Sequence, residues 1–196
     1  MQKLARFGYI LIFGVLWLLC SLPVVTLGAS TAALYRVLFQ LRRGKEVLVS
    51  SFFEAFRENF KASTKLWLIL LLAGEAILAL RFAIAYFAPD ESQRLLLFGT
   101  FYALAVLWLF TVMYSFAQLA YAENTLVQVL YNAVIFTFRN PMLTVSCGCM
   151  TLLPLFVYLI NARLFVLTAF LWLIPAPGLI AWWKSKYILE LFEKQQ

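Results

Sequence analysis

Long apolar runs, separated by short polar connectors, constrain this chain more than any other feature. Six stand out: residues 7–27, 29–41, 66–87, 95–120, 142–160 and 164–183. A helix needs about 20 apolar residues to cross a hydrocarbon core roughly 30 Å thick. Lipid offers no hydrogen bonds, so a segment at that depth must satisfy its own backbone, which an α-helix does. Hydrophobic residues make up 64% of the 196, charged ones 13%, and mean hydropathy is +0.89. Soluble domains carry about 25% charged residues. A globular core of this length could not hide so much apolar surface, so the lipid bilayer becomes the solvent. The expected fold is all-α: a polytopic transmembrane helix bundle forming one integral membrane domain over residues 1–196.

The first run opens like a secretory signal, with Lys3 and Arg6 ahead of Phe7. Its apolar stretch continues to Leu27, too long for a signal core, so a retained first span is expected. The second run covers only about 20 Å as a helix and is expected to be short or partly re-entrant. Residues 51–63 are amphipathic. Phe52, Phe53, Phe56 and Phe60 share one face, and Glu54, Arg57, Glu58 and Lys61 the other. That pattern predicts a helix lying in the interface plane. A second interfacial helix is expected at about 125–139, with Gln128, Asn132 and Arg139 as its polar stripe. The sequence Pro89-Asp90-Glu91-Ser92 reads as an acidic loop. Pro141 suits a helix start. Pro154 is expected to interrupt the fifth run, and Pro175-Ala176-Pro177-Gly178 the last. The tail, 184–196, reads as polar and helical.

Orientation follows from the 16 Lys and Arg residues, which outnumber Asp and Glu by 7. Six segments put every cation except Arg36, Arg81, Arg94 and Arg163 on one side, with both termini. The positive-inside rule makes that side cytoplasmic. Five crossings would leave one basic cluster outside. Because the cations sit between apolar runs, they fit membrane orientation and anionic lipid, and no nucleic-acid partner is expected. With no His, imidazole metal sites and the usual general base are excluded. Cys20, Cys147 and Cys149 lie in apolar runs and imply no disulfide framework. Cys147-Gly148-Cys149 lacks further ligands nearby and reads as helix packing. No Walker motif, glycine-rich phosphate loop, Ser-His-Asp set or carboxylate pair is present. The chain is expected to be non-enzymatic, with no cofactor and no metal.

Three groups of residues are candidates for function. Arg36 and Glu75 are charges within apolar runs, where an isolated charge costs several kcal/mol. In a six-segment bundle they fall at similar depth and are expected to pair, as a brace or a gating element; the alternative is Arg36 snorkelling to the cytoplasmic side with Glu75 protonated. Ser30 and Thr31, in the small-residue run from Gly28 to Ala33, suit either close helix packing or a helix start that meets a polar ligand. The helix carrying Phe52, Phe56, Arg57, Phe60 and Lys61 suits a lipid-surface anchor or a docking surface for a cytoplasmic partner.

The block Trp17-Leu18-Leu19-Cys20-Ser21-Leu22-Pro23-Val24-Val25-Thr26-Leu27-Gly28-Ala29-Ser30-Thr31-Ala32-Ala33-Leu34-Tyr35 resembles the YesL family of bacterial membrane proteins, a domain of unknown function. Phe-x-Glu-Ala-Phe-x-Glu-Asn-Phe at 52–60 and Phe-Arg-Asn-Pro at 138–141 fit the same pattern. The resemblance implies a multi-pass protein of the bacterial cytoplasmic membrane, typical of Gram-positive species. Genes of that family often neighbour carbohydrate-uptake ABC transporters and polysaccharide-degrading enzymes. It therefore implies an accessory or regulatory component of such uptake, with an ABC permease or ATPase subunit as partner. A small transporter, alone or as a homo-oligomer, is the alternative, and a structural membrane protein or unrecognised membrane enzyme the next. The family transfers no catalytic residues.

Overall fold

The computed structural model describes residues 2–87, 90–122 and 124–193. Pro89 of the expected acidic loop, Glu123 and the last three residues of the tail lie outside them. Among the described residues there are nine α-helices and no strand. They are α1 (Gln2–Cys20), α2 (Leu27–Arg42), α3 (Val49–Phe87), α4 (Glu91–Tyr121), α5 (Leu126–Arg139), α6 (Pro141–Ile160), α7 (Ala162–Leu167), α8 (Ala169–Leu173) and α9 (Pro175–Glu193). A 3₁₀ turn, Val24–Thr26, links α1 to α2. Val24–Arg42, α3, α4 and α6 are long and apolar enough to cross a membrane. The protein is an all-α membrane helix bundle.

Local chemistry fixes several boundaries. Gly44 has φ +75°, a conformation open to glycine. Its amide donates to the Leu41 carbonyl and that of Lys45 to Gln40, the paired bonds that close a helix on a left-handed residue. The Thr125 side chain accepts from the Gln128 amide while the Gln128 side chain accepts from the Thr125 amide, which starts α5. Pro141 takes the first turn of α6, where no amide donor is needed.

The architecture departs from the sequence reading in four places. The run 7–27 does not form one helix: α1 stops at Cys20, and α2 begins at Leu27. Residues 51–63 are not a separate helix in the interface plane. They run unbroken into the following span as α3, 39 residues and about 58 Å long. Ala62-Ser63-Thr64-Lys65 contains no Gly or Pro, so nothing there ends the helical hydrogen-bond ladder. Pro154 does not interrupt α6, which continues to Ile160. The last run breaks at Ile174, just ahead of Pro175, where the prolines placed it, but also at Thr168, and Pro175 begins α9. Thr168 turns its hydroxyl onto the Leu164 carbonyl (2.8 Å) and accepts from Trp172 Nε1 (2.9 Å). The expected tail is part of α9 as far as Glu193.

Burial centres on α2, whose Ala29, Ala32, Ala33, Val37 and Leu38 have no exposed surface. Small side chains let α1 and α3 approach it closely. Ile10 and Phe13 of α1, Leu34 and Leu38 of α2, and Phe52 and Ala55 of α3 form one cluster. Tyr35, Phe39, Tyr114, Phe136, Cys147, Ile188 and Phe192 form a second, joining α2, α4, α5, α6 and α9. Leu66, Trp67 and Leu70 pack on Phe116, Leu119 and Val129 in a third. Gly14 and Gly178 meet where α1 crosses α9. A Cβ on Gly178 would lie 2.5 Å from the Ile10 carbonyl oxygen.

Neighbouring contacts set the helices' relative heights. Arg36 lies opposite Glu58, and Gly28 opposite Ser63 and Trp67, whose Nε1 donates to the Val24 carbonyl. The α1–α2 hairpin therefore reaches only as far along α3 as Trp67. Beyond it, α3 continues beside the first half of α4, with Leu72, Phe82, Leu95 and Leu96 exposed. That surface suits lipid.

Candidate functional site

Arg36 and Glu75 do not pair. The Arg36 guanidinium lies 3.0 Å from the Glu58 carboxylate, and the two side chains are 36% and 49% exposed. The cause is the continuity of α3. Antiparallel packing of α2 on its first half brings Arg36 opposite Glu58, and Glu75 lies about 25 Å further along the same helix. Glu75 is exposed, in a shallow apolar hollow between α3 and α4. There Trp108 lies against Gly74 and donates its Nε1 proton to the Leu70 carbonyl at 2.8 Å. Among the described residues Glu75 has no ion-pair partner.

Ser30 and Thr31 do not start a helix, because α2 begins at Leu27. They tie α2 to α1. The Ser21 and Ser30 hydroxyls are 2.6 Å apart, and Trp17 Nε1 donates to Thr31 Oγ1 at 3.0 Å. Thr31 donates to the Leu27 carbonyl.

The phenylalanine face of 51–63 packs only partly into protein, and Phe53 stays exposed. Phe52 is fully buried, its ring stacked on Phe13 with centroids 6.3 Å apart. Phe56 and Phe60 are half-buried and in contact with each other. Glu54, Arg57, Glu58 and Lys61 form the exposed face. The charged side of this segment is thus the available one.

Basic residues gather at one end of the bundle. The Arg42 guanidinium sits 3.8 Å over the Trp182 ring, donates to Ser185 Oγ at 2.7 Å and reaches the Trp182 carbonyl. Arg43 pairs with Glu193 at 3.2 Å and faces the Tyr121 ring. Arg6 and Lys45 line one hollow there, and Arg36, Arg43 and Lys45 another.

One functional candidate escaped the sequence reading. Lys184 is 8% exposed, and its ammonium donates to Thr151 Oγ1 at 3.1 Å. It borders a cavity of about 250 Å³ whose walls include Trp17, Thr31, Tyr35, Thr151 and Trp172. In sequence it passed for the first polar residue of the tail. The signal was its spacing. Ala181, Ile188 and Leu191 stand three before, four after and seven after it, so Lys184 shares the apolar face of its helix. Among the described residues no cluster of three His, Cys, Asp or Glu could hold a metal ion.

The family described as "Protein of unknown function, DUF624" matches residues 10–80. That stretch runs from α1 into α3 and includes the 17–35 block, the 52–60 run, Arg36 and Glu75. It covers less than half of the chain and leaves out Phe138-Arg139-Asn140-Pro141. No curated protein and no solved structure matches the chain.

Proposed function

We propose that this protein is a non-enzymatic accessory or regulatory subunit of carbohydrate uptake. It would work beside an ABC permease in the bacterial cytoplasmic membrane, with both termini cytoplasmic. The observation that carries the reading is the outward face of α3. It presents Arg57 and Lys61 beyond the apolar band and Glu75 within it, all exposed. A carboxylate at that depth costs several kcal/mol when left to lipid. Packing against another membrane chain would remove that exposure. The carbohydrate element comes from the resemblance of residues 17–35 and 52–60 to the YesL family. The grouping of Arg6, Arg42, Arg43 and Lys45 at one end supports the orientation. The lack of catalytic motifs in the sequence supports the non-enzymatic role.

Glu75 also favours self-association, since a second copy set against α3 and α4 would cover it equally. Mild-detergent pull-down from the native host, followed by mass spectrometry, separates the two readings. Recovery of permease or ATPase subunits, lost on charge reversal at Arg57 and Lys61, is the expected result. Recovery of this chain alone, as an oligomer disrupted by Glu75→Leu, would favour the homo-oligomeric transporter. Unchanged permease recovery with the double reversal would remove α3 as the docking surface.

A further inference from the structure

Lys184 carries a charge that no acid balances among the described residues. It is more than nine-tenths buried, yet the two ion pairs among the described residues, Arg36–Glu58 and Arg43–Glu193, do not involve it. An ammonium has three donors, and Thr151 Oγ1 takes one. Burying an unpaired cation costs several kcal/mol. Helix α9 could have avoided that cost with any apolar residue at this position.

The surroundings indicate what would offset it. Lys184 borders a cavity whose walls are otherwise mostly apolar and rich in rings, with Trp17, Tyr35 and Trp172 among them. Thr31 lies there too, but its hydroxyl proton is already given to the Leu27 carbonyl. The polar groups left to the cavity are then the Lys184 ammonium and the Tyr35 hydroxyl, of which only the first is charged. Its volume, about 250 Å³, exceeds the roughly 150 Å³ that accommodates benzene and falls below the usual range for drug-sized ligands. A single ring with a short substituent fits.

We propose that this cavity binds an organic oxyanion, a carboxylate or phosphate on an apolar body no wider than one ring. The anionic group sits at Lys184 and the body lies against Trp17 and Trp172. Two sources offer that chemistry: a small dissolved acid, or an anionic lipid whose remainder extends out of the cavity.

The test uses the full chain in phosphatidylcholine nanodiscs and reads the apparent Tm. Benzoate and phenyl phosphate serve as soluble probes, benzyl alcohol as the neutral control, and nanodiscs containing phosphatidylglycerol as the lipid arm. At a hundredfold excess over Kd, a bound anion should raise Tm by about 5–10 °C. A rise with benzoate or phenyl phosphate assigns the dissolved source, and one with phosphatidylglycerol the lipid. Lys184→Met should abolish the rise while increasing Tm without any probe, because the unpaired charge is gone. Ala176→Phe fills the cavity and keeps Lys184. It should also abolish the rise, and it carries the test if Lys184→Met does not fold. The proposal is overturned if no anion raises Tm, if benzyl alcohol matches benzoate, or if the variants respond like the wild type. Lys184 would then be a hydrated lysine and nothing more.

Discussion

Alanine in place of Gly178 probes the contact on which α9, and with it Lys184, is seated. The new Cβ would stand 2.5 Å from the Ile10 carbonyl oxygen and 3.2 Å from the Gly14 Cα. Both obstacles are backbone, so no side chain can rotate away, and α1 and α9 must separate. Overpacking of this kind costs about 1–3 kcal/mol. Replacing a helical glycine with alanine returns about 0.5–1 kcal/mol through backbone entropy. The net loss is about 1–2 kcal/mol, or roughly 3–6 °C in apparent Tm for a chain of this length. Gly8→Ala is the internal control. A Cβ there meets nothing within 4 Å, so Tm should rise by about 2 °C. Gly14→Ala, whose Cβ would lie 2.9 Å from the Gly178 amide nitrogen, should also destabilise. The double variant should cost less than the sum, because one separation relieves both clashes. Thermal unfolding in detergent, followed by tryptophan fluorescence, measures all four. A Gly178→Ala protein as stable as Gly8→Ala would refute the close crossing of α1 and α9.

Phe52→Ala should cost about 3–5 kcal/mol, because that ring is fully buried against Phe13, whereas Phe53→Ala, next to it but 41% exposed, should cost about 1 or less. Equal losses in a thermal-shift comparison would restore a lipid-anchoring role for the face. A double-mutant cycle between Arg36 and Glu58 should return a coupling of about 0.2–1 kcal/mol, as exposed pairs do. The same cycle between Arg36 and Glu75 should return none, and measurable coupling there would contradict the packing of α2 on α3.

Fold class was legible in the sequence because lipid leaves a long apolar run few alternatives to helix. Helix ends were harder to read where side chains decided them. Pro154 looked like a break, but α6 runs through it, whereas the break just ahead of Pro175 was legible, since a proline has no amide for the carbonyl of the preceding turn. The break at Thr168 has no Gly or Pro beside it to announce it. The partner of Arg36 was misjudged for one reason. Treating 51–63 as a separate helix left Glu58 out of the bundle and made Glu75 the nearest acid. Lys184 was overlooked because its charge outweighed its position on an apolar face. The basic clusters, by contrast, could be read directly, since short connectors hold Arg42, Arg43 and Lys45 near the helix ends.

The unbroken course of α3 has a mechanical consequence. A helix of 39 residues without proline acts as a stiff shaft, and its two ends cannot move independently. The end carrying Arg57 and Lys61 is clamped to α1 and α2 through Phe52, whereas the end near Phe87 touches little besides α4. Any tilt is therefore left to the stretch beyond Trp67, about 30 Å long, which can swing only together with the half of α4 packed beside it.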